Sequence, residues 1–430
     1  MKKIWFSEIK QHLGQEIWLE GWVFNKRGSK NVQFLELRDG TAVLQCVVTR
    51  EESGDEAWEL AERLTQESSL ALRGLVKEHP KSFTGCEIQT LEIKPYQISD
   101  NFPITKKEHG PDFLIKRRHL WLRSRLQRSI LQVRNQVIWA LRKYFHEKEY
   151  ICTDSPILTG TIGEEGSTLF STEYFDEGEA YLAQTGQLYL EATAAALGKT
   201  FCFGPTFRAE KSKTRRHLTE FWMLEAEIAF ADNVENMRIQ EEMLQYVIRH
   251  VLDTSKIQLK TLGRDISSLE ACLKPFAHIS YDDAVERVRQ KGSTMEPGKD
   301  FGAEDEVLLT QDYKVPVFVE NYPRSAKAFY MKIDPENSDR VLCSDLLAPD
   351  YGEIIGASQR EDDYDILHQR ILEFGLDPAK FQWYLDLRKY GTYVHSGFGI
   401  GLERTVSFIT GVRHIRETIP FPRMMTHLEP

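Results

Sequence analysis

The stretch that decides the fold is FCFGPTFRAE at residues 201–210, followed by the basic loop KSKTRR at 211–216 and by HLTEFWMLEAE at 217–227. Alternate residues of a strand point to opposite faces, so Arg208 and Glu210 share one face of the first segment. In the same way, Phe221, Glu225 and Glu227 share one face of the second segment. Paired as a hairpin, these strands would place an arginine, an aromatic ring and three carboxylates on one side of a sheet. Charged groups are almost never fully buried unless they are paired, so this side is predicted to line a polar cavity.

A second motif, GFGIGLER at residues 397–404, predicts a strand that runs into a helix. Glycine at every second position leaves one strand face bare, so a flat ligand could lie directly on the backbone. Arg404, early in the helix, would then be placed to meet a phosphate. The spacing is neither that of a dinucleotide-binding Rossmann turn nor that of a Walker loop, because no Gly-Lys-Ser/Thr follows.

Residues 1–100 predict a small β-barrel. The segments with strand character are 17–23, 32–38, 41–48, 70–77 and 86–93, and a short helical segment lies at 55–66. The Asp39-Gly40 pair is a strong hairpin signal, and the whole pattern is typical of a Greek-key barrel of the oligonucleotide-binding type. Phe34 shares a strand face with Glu36, so two interpretations remain open: a ring exposed to stack on a nucleobase, or a ring packed under a loop.

The remainder predicts a linker at 101–120 and a large α+β domain at 121–430. A long amphipathic helix runs from about Leu122 to about Glu149, with apolar residues at three- or four-residue steps, and 150–156 is predicted to be extended. Further strands are predicted at 200–208, 220–230, 327–333, 353–359 and 394–400, and helices at 187–197, 234–252, 362–374 and 402–410. Several strands are joined by short connections, which favours a largely antiparallel sheet flanked by helices.

Composition limits the class of protein. The 430 residues are 41% hydrophobic and 28% charged, as in soluble globular proteins, with no apolar run of membrane-spanning length. The six cysteines form no Cys-x-x-Cys pair, which argues against structural zinc and disulfides and favours the cytoplasm. The start, MKKIWFSE, is too charged for a secretory signal. Net charge is −10, yet the cations cluster at 116–128 and 211–216, and such patches can still hold a polyanion.

The motifs resemble those of the class II aminoacyl-tRNA synthetases. Residues 207–210, with the basic loop and Phe221, resemble motif 2 of that family, and 397–404 resemble motif 3. The helix and extended segment from Leu122 to Pro156 resemble motif 1, which implies a homodimer through this helix and strand. Together with the N-terminal barrel, the chain is similar to the aspartyl, asparaginyl and lysyl subgroup. The resemblance implies an ATP-consuming ligase that charges tRNA with an amino acid.

The resemblance also implies roles for single residues around ATP. Arg208 would hold the α-phosphate, Glu210 and His217 the nucleotide, and Phe221 would stack on adenine. Arg404 would hold the γ-phosphate. Both arginines would stabilise charge during phosphoryl transfer.

Magnesium and tRNA have their own implied residues. Asp345 and Glu353 are the candidate Mg²⁺ ligands, because hard carboxylate oxygens suit this ion, and Glu353 is also assigned to ATP. The tRNA-binding residues implied by the resemblance and by the basic loop are Arg27, Phe34, Gln45, Lys211, Lys213, Arg215 and Arg216.

The amino acid implied is asparagine. Aspartyl members carry a lysine that grips the substrate carboxylate, where this chain has Leu190. Arg360 remains to meet a side-chain carbonyl, and Glu225 can accept hydrogen bonds from an amide while repelling a second carboxylate. Gln184 and Gln187 belong to the same implied pocket.

One acid is left undecided and three alternatives stay open. The substrate ammonium would meet either Glu164 or Glu165. The alternatives are an aspartyl enzyme, in its non-discriminating form able to charge both tRNAs, a synthetase-like enzyme that makes asparagine without tRNA, and an RNA-binding paralogue without activity. The barrel argues against the second, and the intact phosphate-binding residues argue against the third.

Overall fold

The computed structural model describes residues 4–82, 84–160, 169–212 and 214–429, and it divides into two compact units, Met1–Gly110 and Pro111–Pro430. The predicted linker, residues 101–120, spans this division. It contains two short helices, α2 (Pro111–Ile115) and α3 (Arg118–Trp121).

The N-terminal unit is a closed five-stranded barrel with the strand order β1-β2-β3-β5-β4, as predicted. Its elements are β1 (Glu16–Gly28), β2 (Gln33–Arg38), β3 (Val43–Val48), α1 (Arg50–Arg63), β4 (Ser69–Glu78) and β5 (Cys86–Gln97), preceded by a 3₁₀ helix, Phe6–His12. The predicted turn between β2 and β3 is present: Gly40 has a φ of 97°, and Asp39 accepts a hydrogen bond from the backbone N–H of Thr41 at 2.8 Å.

Alternation along β2 separates the barrel core from its outer surface. Leu35 and Leu37 are fully buried together with Trp58 of α1, which closes the barrel. Phe34, one residue out of phase, is only partly buried. The ring therefore lies on the outer face, although it is not fully exposed.

The C-terminal unit is built on an eight-stranded sheet with the order β12-β13-β16-β17-β18-β11-β10-β6. The strands of this unit are β6 (Ile151–Cys152), β7 (Leu158–Thr159), β8 (Ser171–Glu173), β9 (Glu179–Leu182), β10 (Lys199–Phe207), β11 (Glu220–Ala229), β12 (Ala277–Ser280), β13 (Val317–Glu320), β14 (Ile333–Asp334), β15 (Asn337–Val341), β16 (Cys343–Ala348), β17 (Gly352–Gln359) and β18 (His395–Gly401). Strands pair antiparallel in the middle of the large sheet and parallel only at its two ends. This confirms the predicted, largely antiparallel sheet and the α+β class.

Helices cover this sheet. They are α4 (Arg125–Glu147), α5 (Gln187–Leu197), α6 (Asn233–Thr254), α7 (Lys256–Thr261), α8 (Ile266–Ala271), α9 (Tyr281–Gln290), α10 (Ala303–Thr310), α11 (Tyr364–Glu373), α12 (Gln382–Lys389) and α13 (Leu402–Thr410). Across the described ranges, none of the helices combines the length and the apolar character that crossing a bilayer requires.

The amphipathic helix α4 starts later than its apolar pattern predicts. The Ser124 side chain accepts a hydrogen bond from the backbone N–H of Gln127 at 3.3 Å and caps the helix. Ile130, Val133 and Val137 are buried against the core, whereas Leu126 is 53% exposed. Leu122 therefore precedes the helix, and the buried apolar stripe of α4 begins at Ile130, one turn after Leu126.

The predicted strand at 327–333 is wrong. A 3₁₀ turn, Arg324–Ala326, is followed by irregular chain up to the short strand β14. Phe329 and Tyr330 are adjacent, yet both are buried in one aromatic cluster with Phe381 and Tyr384. Burial of consecutive residues is incompatible with the two-residue alternation of a half-buried strand. The extended segment predicted at 150–156 is likewise reduced to the two residues of β6.

Candidate active site

The predicted hairpin that carries the first motif is present. Strands β10 and β11 pair antiparallel, with Thr206 opposite Phe221 and Cys202 opposite Glu225. Arg208, directly after β10, lies with its guanidinium carbon 5.5 Å from the centre of the Phe221 ring. The cation and the ring therefore form one surface, which suits a nucleotide whose base stacks and whose phosphate is charged.

Arg404 faces the same cavity from the first turn of α13. The cavity has a volume of about 610 Å³ and is lined by Arg208, Phe221 and Arg404 together with Glu210 and His217. All five residues predicted to meet ATP from motifs 2 and 3 are thus brought together. Their roles toward ATP remain predictions.

His217 lies next to the carboxylate of Glu210. Nε2 of His217 lies 3.5 Å from a carboxylate oxygen of Glu210, and its Nδ1 lies 3.1 Å from the Ser212 hydroxyl. Burial, together with the nearby Arg404, lowers the pKa of His217. The imidazole is therefore expected to be neutral at pH 7 and able to donate or accept a hydrogen bond at its cavity side.

The two candidate metal ligands converge above Gly356. A side-chain carbon built there would lie 3.2 Å from Oε1 of Glu353 and 3.8 Å from Oδ1 of Asp345. The second oxygen of each acid is held by a cation: Glu353 Oε2 by Nη1 of Arg404 at 2.7 Å, and Asp345 Oδ2 by Nζ of Lys327 at 2.6 Å. One oxygen of each carboxylate is thereby directed at a common point, which fits a divalent cation bound through carboxylates.

The same contacts set the charge of the two acids. Burial raises the pKa of Asp345 to about 7, an effect that Lys327 only partly offsets. Burial would also raise the pKa of Glu353, but the positive charges of Arg404 and Lys327 lower it to about 2. Two neighbouring carboxylates with well-separated pKa values are characteristic of functional sites.

Sequence reasoning missed Lys327 and two further acids. Lys327 is almost buried and also contacts Asp300 at 3.1 Å, while Glu306 accepts from Nη1 of Arg216 at 2.6 Å. Pro323 and Ser325, ahead of Lys327, were the signal for a turn in place of a strand. Nothing local identifies Glu306, since its partner lies in the basic loop.

Glu225 also lines this cavity, opposite Gly399 in the sheet, and Gly399 pairs in turn with Gly356. Glu225 is buried and accepts hydrogen bonds from the Thr185 hydroxyl and from the backbone N–H of Gly186 at 2.8 Å. Burial raises the pKa of Glu225, although these hydrogen bonds act in the opposite direction. Gln187, the first residue of α5, lines the same cavity. Gln184 is buried but is not among the described residues that line the cavity.

Arg360 also lines the cavity, as a cation paired with an acid. Its Nε and Nη2 bind the carboxylate of Glu227 at 3.1 and 2.9 Å, and its Nη1 donates to the Ser358 hydroxyl at 2.8 Å. Both charges are buried. The cavity therefore presents a neutralised ion pair and, at Glu225, a separate buried carboxylate.

A buried network continues behind this pair. Glu191 accepts from Nη2 of Arg388 at 2.6 Å and from Nε2 of His395 at 3.0 Å, and Gln187 donates to it at 3.1 Å. The network fixes the Gln187 side chain at the cavity wall. Glu191 and Arg388 are buried and are not in the lining of the cavity given by the described residues, so we expect them to position Gln187.

The glycines of β18 do not all leave a bare face, contrary to the prediction. A side-chain carbon at Gly397 would lie 1.9 Å from Oε2 of Glu227, whereas one at Gly401 would have its nearest neighbour at 3.9 Å. Gly399 and Gly401 line the cavity. Gly397 instead makes room for the Arg360–Glu227 pair, so its reason is packing.

Several predicted residues lie elsewhere. Glu164, Glu165 and Lys213 lie outside the described residues. Lys211 and Arg215 are exposed in the basic loop, whereas Arg216 turns inward to Glu306 and lines the cavity.

On the barrel, the three predicted tRNA contacts form one patch. Nη2 of Arg27 donates to Oε1 of Gln45 at 3.0 Å, and the guanidinium carbon of Arg27 lies 5.2 Å from the centre of the Phe34 ring. Gln45 in turn donates to Glu87 at 2.9 Å. A ring, a cation and an amide next to one another suit a stacked base and its phosphate.

Comparison with known proteins agrees with both units. Residues 110–425 match the family model described as class II tRNA synthetases (D, K and N), and residues 17–100 match the OB-fold nucleic acid binding domain. The structure of asparaginyl-tRNA synthetase from Pyrococcus horikoshii complexed with asparaginyl-adenylate is 41% identical over 100% of both chains, with a TM-score of 0.96.

Two further structures are similar along the whole chain. Asparaginyl-tRNA synthetase from Entamoeba histolytica in complex with asparaginyl-adenylate is 32% identical over 97% of each chain, with a TM-score of 0.88. Aspartyl-tRNA synthetase from the same organism is 24% identical over 100% of this chain and 93% of that one, with a TM-score of 0.84, which supports the fold alone. The chain therefore belongs to the class II aminoacyl-tRNA synthetases of the aspartyl, asparaginyl and lysyl group, which are ATP-dependent ligases.

Proposed function

We propose that the chain is an asparagine–tRNA ligase, which activates asparagine with ATP and transfers it to the 3′ end of the matching tRNA. The observation that carries this proposal is one cavity lined both by Arg208 and Arg404 and by Glu225 and the neutralised Arg360. The asparaginyl-adenylate in two relatives at 41% and 32% identity supports the same substrate.

In activation, an oxygen of the asparagine carboxylate attacks the α-phosphorus of ATP, and the bond to the pyrophosphate oxygen breaks. Arg208 holds the α-phosphate and Arg404 the γ-phosphate, while Phe221 stacks on adenine and Glu210 and His217 bind the nucleotide. Such a reaction needs mainly positioning and stabilisation of charge. Arg216 fits a phosphate-binding role better than a contact with tRNA, because it lines the cavity with Glu306 at its back.

Mg²⁺ is the proposed metal, and zinc is not required. Asp345 and Glu353 would hold it through the oxygens that converge above Gly356. When bound, the ion would neutralise charge on the phosphates. Glu353 also accepts a hydrogen bond from Arg404 at 2.7 Å and so orients its guanidinium. In this way the acid would support phosphate binding by Arg404.

Selection of asparagine over aspartate follows from charge. Glu225 can accept a hydrogen bond from the substrate amide, and an arginine N–H of Arg360 can donate to its carbonyl. The Arg360 charge is already balanced by Glu227 at 2.9 Å, so a substrate carboxylate would meet Glu225 without a compensating cation. Like charges at close range in a dry site are strongly unfavourable.

The remaining parts of the proposal concern partners. The patch of Arg27, Phe34 and Gln45 would bind the anticodon, and Lys211, Lys213 and Arg215 would contact the tRNA near its acceptor end. Glu164 or Glu165 would meet the substrate ammonium, with Gln184 and Gln187 supporting the pocket. A homodimer through α4 and the following strand, and a cytoplasmic location, complete the proposal.

Pyrophosphate exchange tests the proposal. With ATP, Mg²⁺ and labelled pyrophosphate, asparagine should support exchange and aspartate should not. Aspartate-dependent exchange exceeding asparagine-dependent exchange would replace the proposal by the aspartyl alternative. Charging of tRNA transcripts with asparagine and aspartate anticodons then decides which tRNA is accepted.

A further inference from the structure

A second cavity adjoins the nucleotide cavity and is not used by the mechanism above. It has a volume of about 590 Å³ and shares Arg216, Arg404 and Ile415 with the nucleotide cavity. We call these three shared residues the wall between the two spaces, and two of them carry guanidinium groups.

Each guanidinium of the wall is fixed by a carboxylate. Arg216 binds Glu306 at 2.6 Å and Arg404 binds Glu353 at 2.7 Å. Gly352, with a φ of 69°, allows the first pair to lie against the backbone, since a side-chain carbon there would be 2.6 Å from Nη1 of Arg216. The cations are therefore held in place before any ligand arrives.

Beyond the wall the second cavity is rich in arginine. Arg215, Arg264 and Arg413 line it, against the two acids Asp265 and Asp350. With Arg216 and Arg404, five arginines surround the space. Arginine is the side chain best suited to bind phosphate, because its planar fork donates two parallel hydrogen bonds.

Two of these arginines are anchored by the surrounding chain. Nε of Arg264 donates to the backbone carbonyl of Ile409 at 3.1 Å. Gly411 ends α13 with a φ of 79°, and a side-chain carbon at this position would lie 3.0 Å from Cδ of Arg264. The backbone carbonyl of Arg215 accepts from the N–H of Ile415 at 3.1 Å, which ties the basic loop to this site.

We infer that the second cavity receives the inorganic pyrophosphate released when the aminoacyl-adenylate forms. The inference rests on the proposed function, because only activation supplies this product. A leaving pyrophosphate bound by Arg404 can pass to Arg264 and Arg413 on the other side of the wall while remaining among cations. Pyrophosphate also returns by this path in the reverse reaction, in which it attacks the α-phosphorus of the adenylate, displaces the amino-acid carboxylate and re-forms ATP.

The test is direct binding of pyrophosphate. Sodium pyrophosphate with MgCl₂ is titrated by calorimetry into the full-length wild-type protein and into the Arg264→Ala/Arg413→Ala variant, each saturated with ATP in the absence of amino acid. We expect pyrophosphate to bind the wild type despite the bound ATP. It should bind the variant about tenfold more weakly, because charge-assisted hydrogen bonds are lost. The Michaelis constant for pyrophosphate in exchange should rise by a similar factor, while that for asparagine should not change.

Matched variants separate the site from net charge and from misfolding. Arg249→Ala/Arg289→Ala removes two exposed arginines elsewhere and should leave pyrophosphate binding unaltered. Arg413→Glu keeps the Arg264 anchor, so it tests the site even if the double variant is unstable in thermal melts, and it should also weaken binding.

Three results would overturn the inference. The first is that saturating ATP abolishes pyrophosphate binding to the wild type, and the second is that both site variants bind pyrophosphate as the wild type does. The third is that only the Michaelis constant for tRNA rises in the site variants, which would assign the arginines to the tRNA backbone. Failure of the proposed function is distinguishable, because a protein without asparagine-dependent exchange could still bind pyrophosphate in this titration.

Discussion

Replacement of Glu225 by glutamine is the most informative single change at the amino-acid end of the cavity. The substitution keeps size and shape but removes the charge and one acceptor oxygen. In the native protein that carboxylate already accepts from the Thr185 hydroxyl and from the N–H of Gly186 at 2.8 Å. These donors bind different oxygens, the Thr185 hydroxyl Oε1 and the Gly186 N–H Oε2. A glutamine that keeps its carbonyl toward Gly186 places its NH₂ on the Thr185 side, where it can no longer accept a hydrogen bond from the substrate amide.

The expected loss can be estimated from the hydrogen bond at stake. A hydrogen bond to a charged group is worth about 1.5–3 kcal/mol, which corresponds to roughly a 10- to 150-fold loss of asparagine-dependent kcat/KM. ATP should bind Glu225→Gln as it binds the wild type, because the proposed contacts with adenine and the phosphates do not include Glu225. Aspartate should become a relatively better substrate, since the repulsive charge is gone.

The assay is pyrophosphate exchange with asparagine and with aspartate, beside a separate measurement of ATP affinity. Glu210→Gln provides the matched control: it removes a carboxylate from the nucleotide end of the same cavity and should weaken ATP binding more than asparagine activation. Equal losses of ATP and asparagine affinity in Glu225→Gln, or an unchanged preference for asparagine over aspartate, would refute the assignment of Glu225 to the substrate side chain.

Three further changes test other parts of the molecule. Phe34→Ala should weaken tRNA binding by the roughly 1–3 kcal/mol that one stacked base contributes. This loss should appear as a higher KM for tRNA with exchange intact, and a large fall in exchange would contradict the separation of the two sites. Asp345→Asn should weaken Mg²⁺ binding by about tenfold, seen as a higher Mg²⁺ concentration at the half-maximal rate of exchange. Gly397→Ala should destabilise the fold by about 1–3 kcal/mol, because the added methyl group overpacks against Glu227. Gly401→Ala should leave the melting temperature nearly unchanged, and equal effects of the two substitutions would show that packing does not explain Gly397.

Burial of Glu225 predicts a pH dependence of substrate use. Its pKa is raised by burial, and only the ionised carboxylate accepts hydrogen bonds through both oxygens. As pH falls through this raised pKa, the carboxylate is protonated, so the KM for asparagine should increase at a higher pH than an ordinary glutamate would cause. The Glu225→Gln variant should lack this dependence, and its persistence there would assign the titration to another group.

The elements around the site could be predicted where the signal is local. Helices α5 and α13 begin and end where the apolar periodicity does, and the hairpin of β10 and β11 follows from alternation along each strand. Prediction failed at 327–333 because Phe329 and Tyr330 are buried side by side in an aromatic cluster, an arrangement fixed by distant residues. An apolar run alone does not distinguish that arrangement from a strand.

Charge pairing was the other limit of the sequence. The sequence indicates that Arg208, Glu225, Glu227 and Arg360 belong together, but it does not indicate which acid neutralises which cation. Glu227 and Arg360 are separated by 133 positions along the chain, and their pairing depends on β11, β18 and β17 lying side by side. The resemblance implied that Arg360 meets a side-chain carbonyl, and the structure adds that Glu227 neutralises its guanidinium.

Glu353 connects the two halves of the phosphate site through one strand end. Its side chain holds Arg404 at 2.7 Å with one oxygen and faces Asp345 across Gly356 with the other. Its backbone carbonyl also accepts from Arg404 at 3.2 Å and from Arg216 at 3.4 Å. The orientation of both arginines is therefore set by the same residue at the start of β17, which would also hold the proposed Mg²⁺. Because donors that are already oriented need little reorganisation when charge develops, this strand end favours the transition state through groups that are in place before ATP binds.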